Sequence, residues 1–586
     1  YEFLKGLTFS ASGNIDYSQS NLNKYTPGVF DEYHNESKSE GNIGRQVMLS
    51  SEELLHYNAS VNDVHNIDVL LGVNTNKEQA FSMYGYGLRG VSDDVYYYNP
   101  QKVPPVVNHG TPEFPDYAAT RYYSSDFTEK RMVSYFGRLG YNYKQRYLLE
   151  FTFRRDGSST FGEGNRWANF PSVAVGWSFS EEPFIKRLTG GWLNWGKIRG
   201  SYGKSGQTFT SAYLAHGLMN IMDKSFFGKT GITTDKPVSP YLTWEKTRQY
   251  DLGLDMDMFN YRLNVKLDYY YKYTSSLIYD IPIPGSLYAF GAQVENAMEI
   301  SNEGLELELQ ADILRESAVS WRMKFNMARN WNRFEKSYSG KDVVDGDGTL
   351  LVVGRPLNGL YVWAHRGYYN SDAEVPRLYK IDGQEIYFNG VATNGISGAV
   401  GDYRLLDLDG DGNPDSYYAG SPLPLAHGGW VNELMWKNFD LNVLVNFTIG
   451  RKMINNRMGL GFSRQSEDGH LTKLFDYRKL RPWDGVNKKP NAPAWGNSLS
   501  MNTDSAIEKV HHLALKQITL GYNLPDRISK KAGLSGVRFF LTAENLFYLS
   551  NYSGGNPEVV NIYTGRDNGD TYPLPRKYTL GLTLNF

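Results

Sequence analysis

The stretch Lys577-Tyr578-Thr579-Leu580-Gly581-Leu582-Thr583-Leu584-Asn585-Phe586 alternates residue by residue. Tyr578, Leu580, Leu582, Leu584 and Phe586 fall on one face of an extended chain, because successive side chains of a strand point to opposite sides. Lys577, Thr579, Gly581, Thr583 and Asn585 fall on the other. The same split recurs at Leu252, Leu254, Met256 and Met258 against Asp251, Gly253, Asp255 and Asp257, and at Leu305, Leu307 and Leu309 against Glu306, Glu308 and Gln310. Further copies are Leu263, Val265, Leu267, Tyr269 and Leu441, Val443, Val445, Phe447, Ile449. Such runs extend roughly 10 to 14 residues, against about 5 or 6 for a soluble strand. A tilted strand needs about 9 to 11 residues to cross a bilayer. Long strands with one apolar and one polar face, rich in Tyr and Phe, fit an all-β transmembrane antiparallel β-barrel better than a sandwich.

Composition narrows the alternatives. The 586 residues contain no run of about 18 apolar ones, which excludes a helical membrane protein but not a barrel, whose strands are only half apolar. A net charge of −2 removes the electrostatic reason to expect nucleic acid as a partner. Without cysteine there are no disulfides, thiolate metal sites or cysteine nucleophile. Neither H-E-x-x-H nor G-x-S-x-G occurs, so no catalytic residue is assigned and the chain is not read as an enzyme.

Strands are expected near 3–18, 46–58, 65–76, 131–143, 146–155, 169–180, 194–203, 246–258, 262–275, 300–312, 319–332, 425–436, 439–450, 510–523, 537–547 and 576–586, about 16 in all. Short turns such as Asn260-Tyr261 and Lys437-Asn438 alternate with long loops near 204–245, 333–424 and 451–509. Short connections on one side and long ones on the other is the bacterial outer-membrane pattern, with the long loops outside the cell. In this register Leu441, Val443, Val445, Phe447 and Ile449 face outer-membrane lipid, while Asn442, Asn446 and Thr448 face the lumen. The rival is a secreted β-rich carbohydrate-active enzyme or adhesin. It would also alternate, but without the asymmetry of loop length; a propeller would repeat every 40 to 50 residues or so.

At 154–186 the sequence reads RRDGSSTFGEGNRWANFPSVAVGWSFSEEPFIK. It continues with RGSYGKSGQ at 199–207, WEKTRQYDLGLD at 244–255, NEGLELEL at 302–309, GDYRLLDLDGDGNPD at 401–415, ENLFYLSNYSGGNPEV at 544–559 and YPLPRKYTLGLTLNF at 572–586. This set, in this order, resembles the SusC/RagA family of TonB-dependent outer-membrane transporters of Bacteroidota, over nearly the whole of residues 1–586. The resemblance implies a 22-stranded, multi-pass barrel in the cell outer membrane whose lumen holds an N-terminal plug. It implies active import of a nutrient, a glycan or an oligopeptide. The implied partners are TonB, engaged through the plug region, and a SusD-like surface lipoprotein acting as a hinged lid on the outer loops. Neither plug nor TonB-engaging segment is recognisable here, and the sequence starts at Tyr1 without Met. The expectation is therefore a barrel portion, with about 6 strands and the plug supplied by another chain or lying outside this sequence.

Four groups of residues invite a site reading. Asp407, Asp409 and Asp411, with Gly412 and then Asn413 and Asp415, set hard oxygens at the spacing of the first half of a calcium loop, so a structural calcium is expected there. Position 12 is Tyr418 rather than the bidentate Glu of an EF-hand, and the alternative is an acidic loop rich in Asx turns. Gly85-Tyr86-Gly87-Leu88-Arg89-Gly90 matches G-x-G-x-x-G, but its Tyr- and Asp-rich surroundings lack the strand-turn-helix context of a dinucleotide site. Arg154, Arg155 and Asp156, with Arg166 and Trp167 returning, read as the anchored base of a loop. Tyr361, Trp363, Tyr368, Tyr369, Tyr417 and Tyr418 either stack on sugar rings or pack the loops against one another or a partner.

Overall fold

The computed structural model describes residues 2–30, 36–89, 117–208, 237–288, 290–344, 350–375, 416–456, 503–569 and 571–586, with shorter pieces at 94, 106–108, 110–111, 211–226, 229–234, 377–379, 385–387, 400–406, 408, 481–486 and 489–494. Among these, sixteen long strands carry the fold. They are β1 (Leu7–Thr26), β2 (Lys38–Val61), β3 (His65–Leu88), β4 (Arg121–Tyr143), β5 (Tyr147–Ser158), β6 (Trp167–Trp177), β7 (Leu193–Gln207) and β8 (Glu245–Met258). There follow β9 (Leu263–Pro282), β10 (Ala292–Leu314), β11 (Val319–Lys336), β12 (Ala426–Trp436), β13 (Phe439–Asn455), β14 (Ile507–Asn523), β15 (Gly536–Ser550) and β16 (Lys577–Asn585). Each expected segment coincides with one of them.

Several strands run much further than expected. β2 and β3 each have 24 residues and β4 has 23, all extended at the end away from the short turns. There the ladder continues through pairs such as Lys77↔Arg131, Glu78↔Lys130 and Gln79↔Glu129. Charged and amide residues fill both faces at this level, and beyond it only isolated apolar pairs such as Phe81↔Phe127 and Ile43↔Met83 occur, so the backbone pairing persists after the regular alternation of hydrophobicity has stopped. Periodicity reports burial, not hydrogen bonding.

The chain forms two compact units. The first comprises Tyr1–Trp177, Ser201–Gln249 and Thr274–Met298; the second comprises Ser178–Gly200, Tyr250–Tyr273 and Glu299–Phe586. In the first, β1 to β6 form an antiparallel meander, each strand paired with the next. In the second, the meander runs from β10 through β16. Tight turns join neighbours: Asn62 and Asp63 have φ of 55° and 56°, and Lys144 and Gln145 have 54° and 57°. Two consecutive left-handed residues match the right-handed twist of the flanking strands.

Cross-strand rows divide the faces. In the first unit Leu7, Tyr57, Val69, Leu139, Phe151 and Val173 form one row, and Phe9, Leu55, Leu71, Gly137, Phe153 and Pro171 the next. In the second, Leu441, Leu520, Leu541 and Leu580 form a row, as do Val443, Ile518 and Ala543. The alternate positions are polar, Asn442, Thr519, Thr542 and Thr579 among them. Many side chains of the apolar faces are exposed, Leu71, Phe151, Leu520, Leu541 and Leu580 among them. Burial is found instead at the loop bases, where Phe161, Ala168, Phe170 and Trp244 cluster in the first unit and Leu360, Val362, Ala419 and Ile454 in the second.

Candidate functional site

The polar faces carry a series of ion pairs. On the first unit Asp68 accepts from Arg138 at 2.6 Å and meets His56 Nε2 at 2.5 Å. Arg154 Nε donates to both Asp156 oxygens at 2.7 and 2.9 Å, while its Nη2 reaches Ser134 Oγ at 2.8 Å. On the second, Arg199 joins Asp255 at 3.0 Å and Asp268 at 2.5 Å. Arg322 joins Asp312 at 2.7 Å, Lys324 joins Glu433 at 2.8 Å and Arg538 joins Asp440 at 2.5 Å. Period-two spacing places each charge on the face opposite the leucines, so the strands present one hydrocarbon wall and one wet, charged wall.

A second construction lies in the connections of the second unit. Leu360–Trp363 pairs with Ser416–Gly420, and His365–Tyr368 with Tyr403–Leu405. Tyr361 and Tyr418 rings stand 5.6 Å apart and Tyr368 stacks on Tyr403 at 5.4 Å. Burial pushes the Tyr361 hydroxyl up to about 12, and raises Tyr368 and Tyr403 as well. Asp504 draws these strands together, accepting from the Tyr417 hydroxyl at 3.1 Å and bonding His365 Nδ1. Beside them Met453, Val510, Tyr552 and Val560 form a buried cluster. Arg451, 5% exposed, donates to the carbonyls of Pro557 (3.2 Å), Val560 (2.9 Å) and Asn561 (2.7 Å). A guanidinium fork satisfies three carbonyls that no strand partner reaches. Of the tyrosines expected either to stack on sugars or to pack the loops, Tyr361 and Tyr418 pack on each other, Tyr368 packs on Tyr403, and Tyr417 is tied to Asp504.

Of the calcium candidates, Asp407, Asp409, Asp411, Asn413 and Asp415 lie outside the described residues. Among the described residues no group of three or more His, Asp or Glu is arranged to hold a metal ion. Arg154, Arg155, Asp156, Arg166 and Trp167 do form a loop base: Trp244 Nε1 donates to the Arg166 carbonyl at 3.1 Å, and Arg155 lies over the Trp167 ring. Gly85, Tyr86, Gly87 and Leu88 belong to β3, so no phosphate-binding turn follows a strand there. The Asp504 and Arg451 centres were not foreseen. Their partners are 87 to 139 residues away in one case and 106 to 110 in the other, and no local spacing reports that.

Residues 1–443 match the family described as TonB dependent receptor-like, beta-barrel. The chain belongs to this family. TonB-dependent receptor P3 of Formosa agariphila is 27% identical over 100% of this chain and 57% of its own length. TonB-dependent receptor SusC of Bacteroides thetaiotaomicron is 29% identical over 80% of this chain and 45% of its own. The chain therefore spans about half the length of the curated relatives it matches. The solved structure of the RagAB peptide transporter shares the fold, with a TM-score of 0.79 at 22% identity over 100% of this chain and 60% of that one. The resemblance to SusC/RagA transporters, the all-β barrel class and the outer-membrane location are borne out. The register keeps Leu441, Val443, Val445, Phe447 and Ile449 on one face of β13 and Asn442, Asn446 and Thr448 on the other; in a barrel of this class the apolar rows are the ones that face lipid. The family is one of transporters and receptors rather than enzymes.

The described part of the connection 333–424 packs around an apolar cluster, where Leu360, Val362 and Ala419 meet Ile454. Buried polar atoms left without a partner among the described loop residues include Tyr361 Oη, Ser239 Oγ and Asn456 Oδ1.

Proposed function

We propose that this protein is the barrel of an active importer, drawing a glycan or an oligopeptide across the outer membrane at the expense of TonB-transmitted energy. The observation that supports this is the family match over residues 1–443, joined to strands with one hydrocarbon and one charged wall. In this reading the lumenal pairs, from Asp68–Arg138 to Asp440–Arg538, keep the passage wet and give a plug a polar surface to slide against. No bond is made or broken in the cargo; the chain is not an enzyme, and its work is binding and release. A SusD-like lipoprotein sits on loops 204–245, 333–424 and 451–509 as a lid, with a contact of roughly 2,000 Å² or more if it is permanent. TonB acts through a plug region outside this sequence. Calcium bound by Asp407, Asp409, Asp411, Asn413 and Asp415 would neutralise the clustered carboxylates and fix the loop between Tyr403–Leu405 and Ser416–Gly420.

Purifying the native complex in mild detergent and identifying every chain tests the assembly; a lipoprotein should accompany the barrel. Deleting the gene should abolish energy-dependent uptake of labelled oligosaccharide or oligopeptide, and loss of TonB should do the same. Uptake unchanged in both strains overturns the import reading. A barrel recovered with no lipoprotein leaves a receptor without a lid.

A further inference from the structure

The lipid-facing surface of the first unit is not flat. Gly137 on β4 is paired with Leu71 on β3 and Phe153 on β5, and itself contributes no side chain. Around that gap Leu55, Val69, Leu139 and Phe151 line an open groove of about 700 Å³ whose walls are almost wholly apolar. That is the size of a small-ligand site, which spans about 300–1,000 Å³.

The chemistry changes one row nearer the loops, where Tyr135 and Arg155 are direct cross-strand partners. Tyr135 and Trp167 rings stack with centroids 6.1 Å apart and an interplanar angle of 22°, and the Arg155 guanidinium lies 5.3 Å from the Trp167 centroid. Arg155 has no carboxylate partner among the described residues. Of the other charged residues lining the groove, Arg138 is paired with Asp68 on the opposite face, and Glu53 stands in the same row as Arg155 three strands away, on the order of 14 Å at the usual strand spacing. A Tyr–Trp pair marks the level of lipid headgroups. The short turn at Lys144 and Gln145 lies at the opposite end of β4 and β5, which puts this rim in the outer leaflet.

We propose that the groove at Gly137 holds an acyl chain of a phosphate-bearing outer-leaflet lipid, whose phosphate is bound by Arg155. Any hydrocarbon would fill the apolar part; selection for phosphate rests on Arg155. Its planar fork suits phosphate oxygens, and the Trp167 face presets its orientation. The inference uses the barrel's place in the membrane and is independent of what the barrel imports.

The full transporter, extracted from native outer membranes and washed in mild detergent, should retain phosphate-bearing lipid countable per protein by native mass spectrometry. Arg155→Gln should lower that retention about tenfold, the scale of one lost charge-assisted bond. Arg155→Lys should keep most of it. Gly137→Leu, whose Cβ would stand 3.1 Å from the Leu71 side chain, should fill the groove and lower retention with Arg155 intact. Heat-modifiable gel migration identifies variants that fold. On the wild type alone, a photoactivatable acyl probe on a phosphorylated lipid should label peptides containing Leu71, Leu139 or Phe153. The proposal is overturned by a wild type that retains no such lipid, or by a folded Gln variant that retains as much. Labelling away from the groove, or a neutral lipid or protein found in it, overturns it equally.

Discussion

The lipid-facing rows of β2 to β6 and the loop base around Arg451 solve opposite problems with the same residue types. Leu71 is 54% exposed and Phe151 47%, whereas Val362, Met453 and Ile454 are fully buried. The rows have no protein to cover them, and their apolar area is removed from water only when lipid is present. The loop base buries its apolar groups against itself and pairs most of its buried polar groups, Tyr361 Oη and Arg451 Nε being exceptions, much as the interior of a water-soluble domain does. One part of the chain is therefore stable only with its solvent, and the other carries its own core. The substitutions below separate the two.

The largest effect is expected at Arg451. Replacing it by Ala leaves the Val560 carbonyl without a donor, takes the second donor from the Pro557 and Asn561 carbonyls, which keep the N–H groups of Val560 (3.4 Å) and Gly565 (2.9 Å), and empties the space of a buried long side chain, a loss on the order of 4 kcal/mol. The damage should be confined to the loop base: limited proteolysis should open cleavage within 551–568, while heat-modifiable migration of the barrel is kept. Lys at this position retains charge but cannot fork to three acceptors, so it should rescue only in part. Loss of the whole barrel would show that the loop base is not a separate source of stability.

Next comes the belt. Val445 lies between Trp430 and Leu515 on the apolar face of β13, partway along the strand from the turn at Lys437. Val445→Lys should cost about 2–4 kcal/mol when folding is measured into bilayers. Asn442→Lys, on the face shared with Glu433 and Thr519, should cost much less. Equal costs would mean that the faces are assigned the wrong way round.

The same contrast explains what the sequence made legible. All sixteen long strands could be placed from alternation, because a lipid-facing wall imposes period two wherever it is built. The ends of β2, β3 and β4 could not: successive rows such as Glu78↔Lys130 and Gln79↔Glu129 are polar on opposite faces, which breaks the alternation before the pairing stops. The loop base was illegible for another reason. Phe161, Ala168 and Phe170 meet Trp244, and Leu360 meets Ile454, across long stretches of chain with no common period. His365 and Asp504 are ordinary polar residues until the fold joins them. A loop recognised by its spacing, as Arg154 to Trp167 was, is one whose partners are close in sequence.

A smaller effect is expected from acid on the loop base. The His512 side chain 3.7 Å away, with Lys516 at 3.3 Å, holds the Glu558 carboxyl below its ordinary 4.5 in spite of its partial burial. A carboxylate with a depressed pKa contributes stability above its unfolded value and loses it as pH falls through the folded one. Protease resistance of 551–568 should therefore hold from pH 7 down to about 5 and fall only below 4.5. Glu558→Gln should remove that acid step. Loosening above pH 6 would assign the titration to some other group.

The smallest effect should come from single pairs on the lumenal wall, and its smallness is informative. Lys324 and Glu433 are 44% and 27% exposed, so water already screens them. An exposed ion pair contributes about 0–1 kcal/mol. Lys324→Ala should change the stability of the folded barrel by roughly 0.5 kcal/mol or less, and the double change with Glu433→Ala should show coupling of the same order. If the wall serves the passage rather than the fold, uptake should respond more than stability does, since removing one sign of charge changes the field along the lumen without exposing any core. A double-mutant cycle reporting several kcal/mol would instead make these pairs a dry, structural seam and would close the lumen at this point.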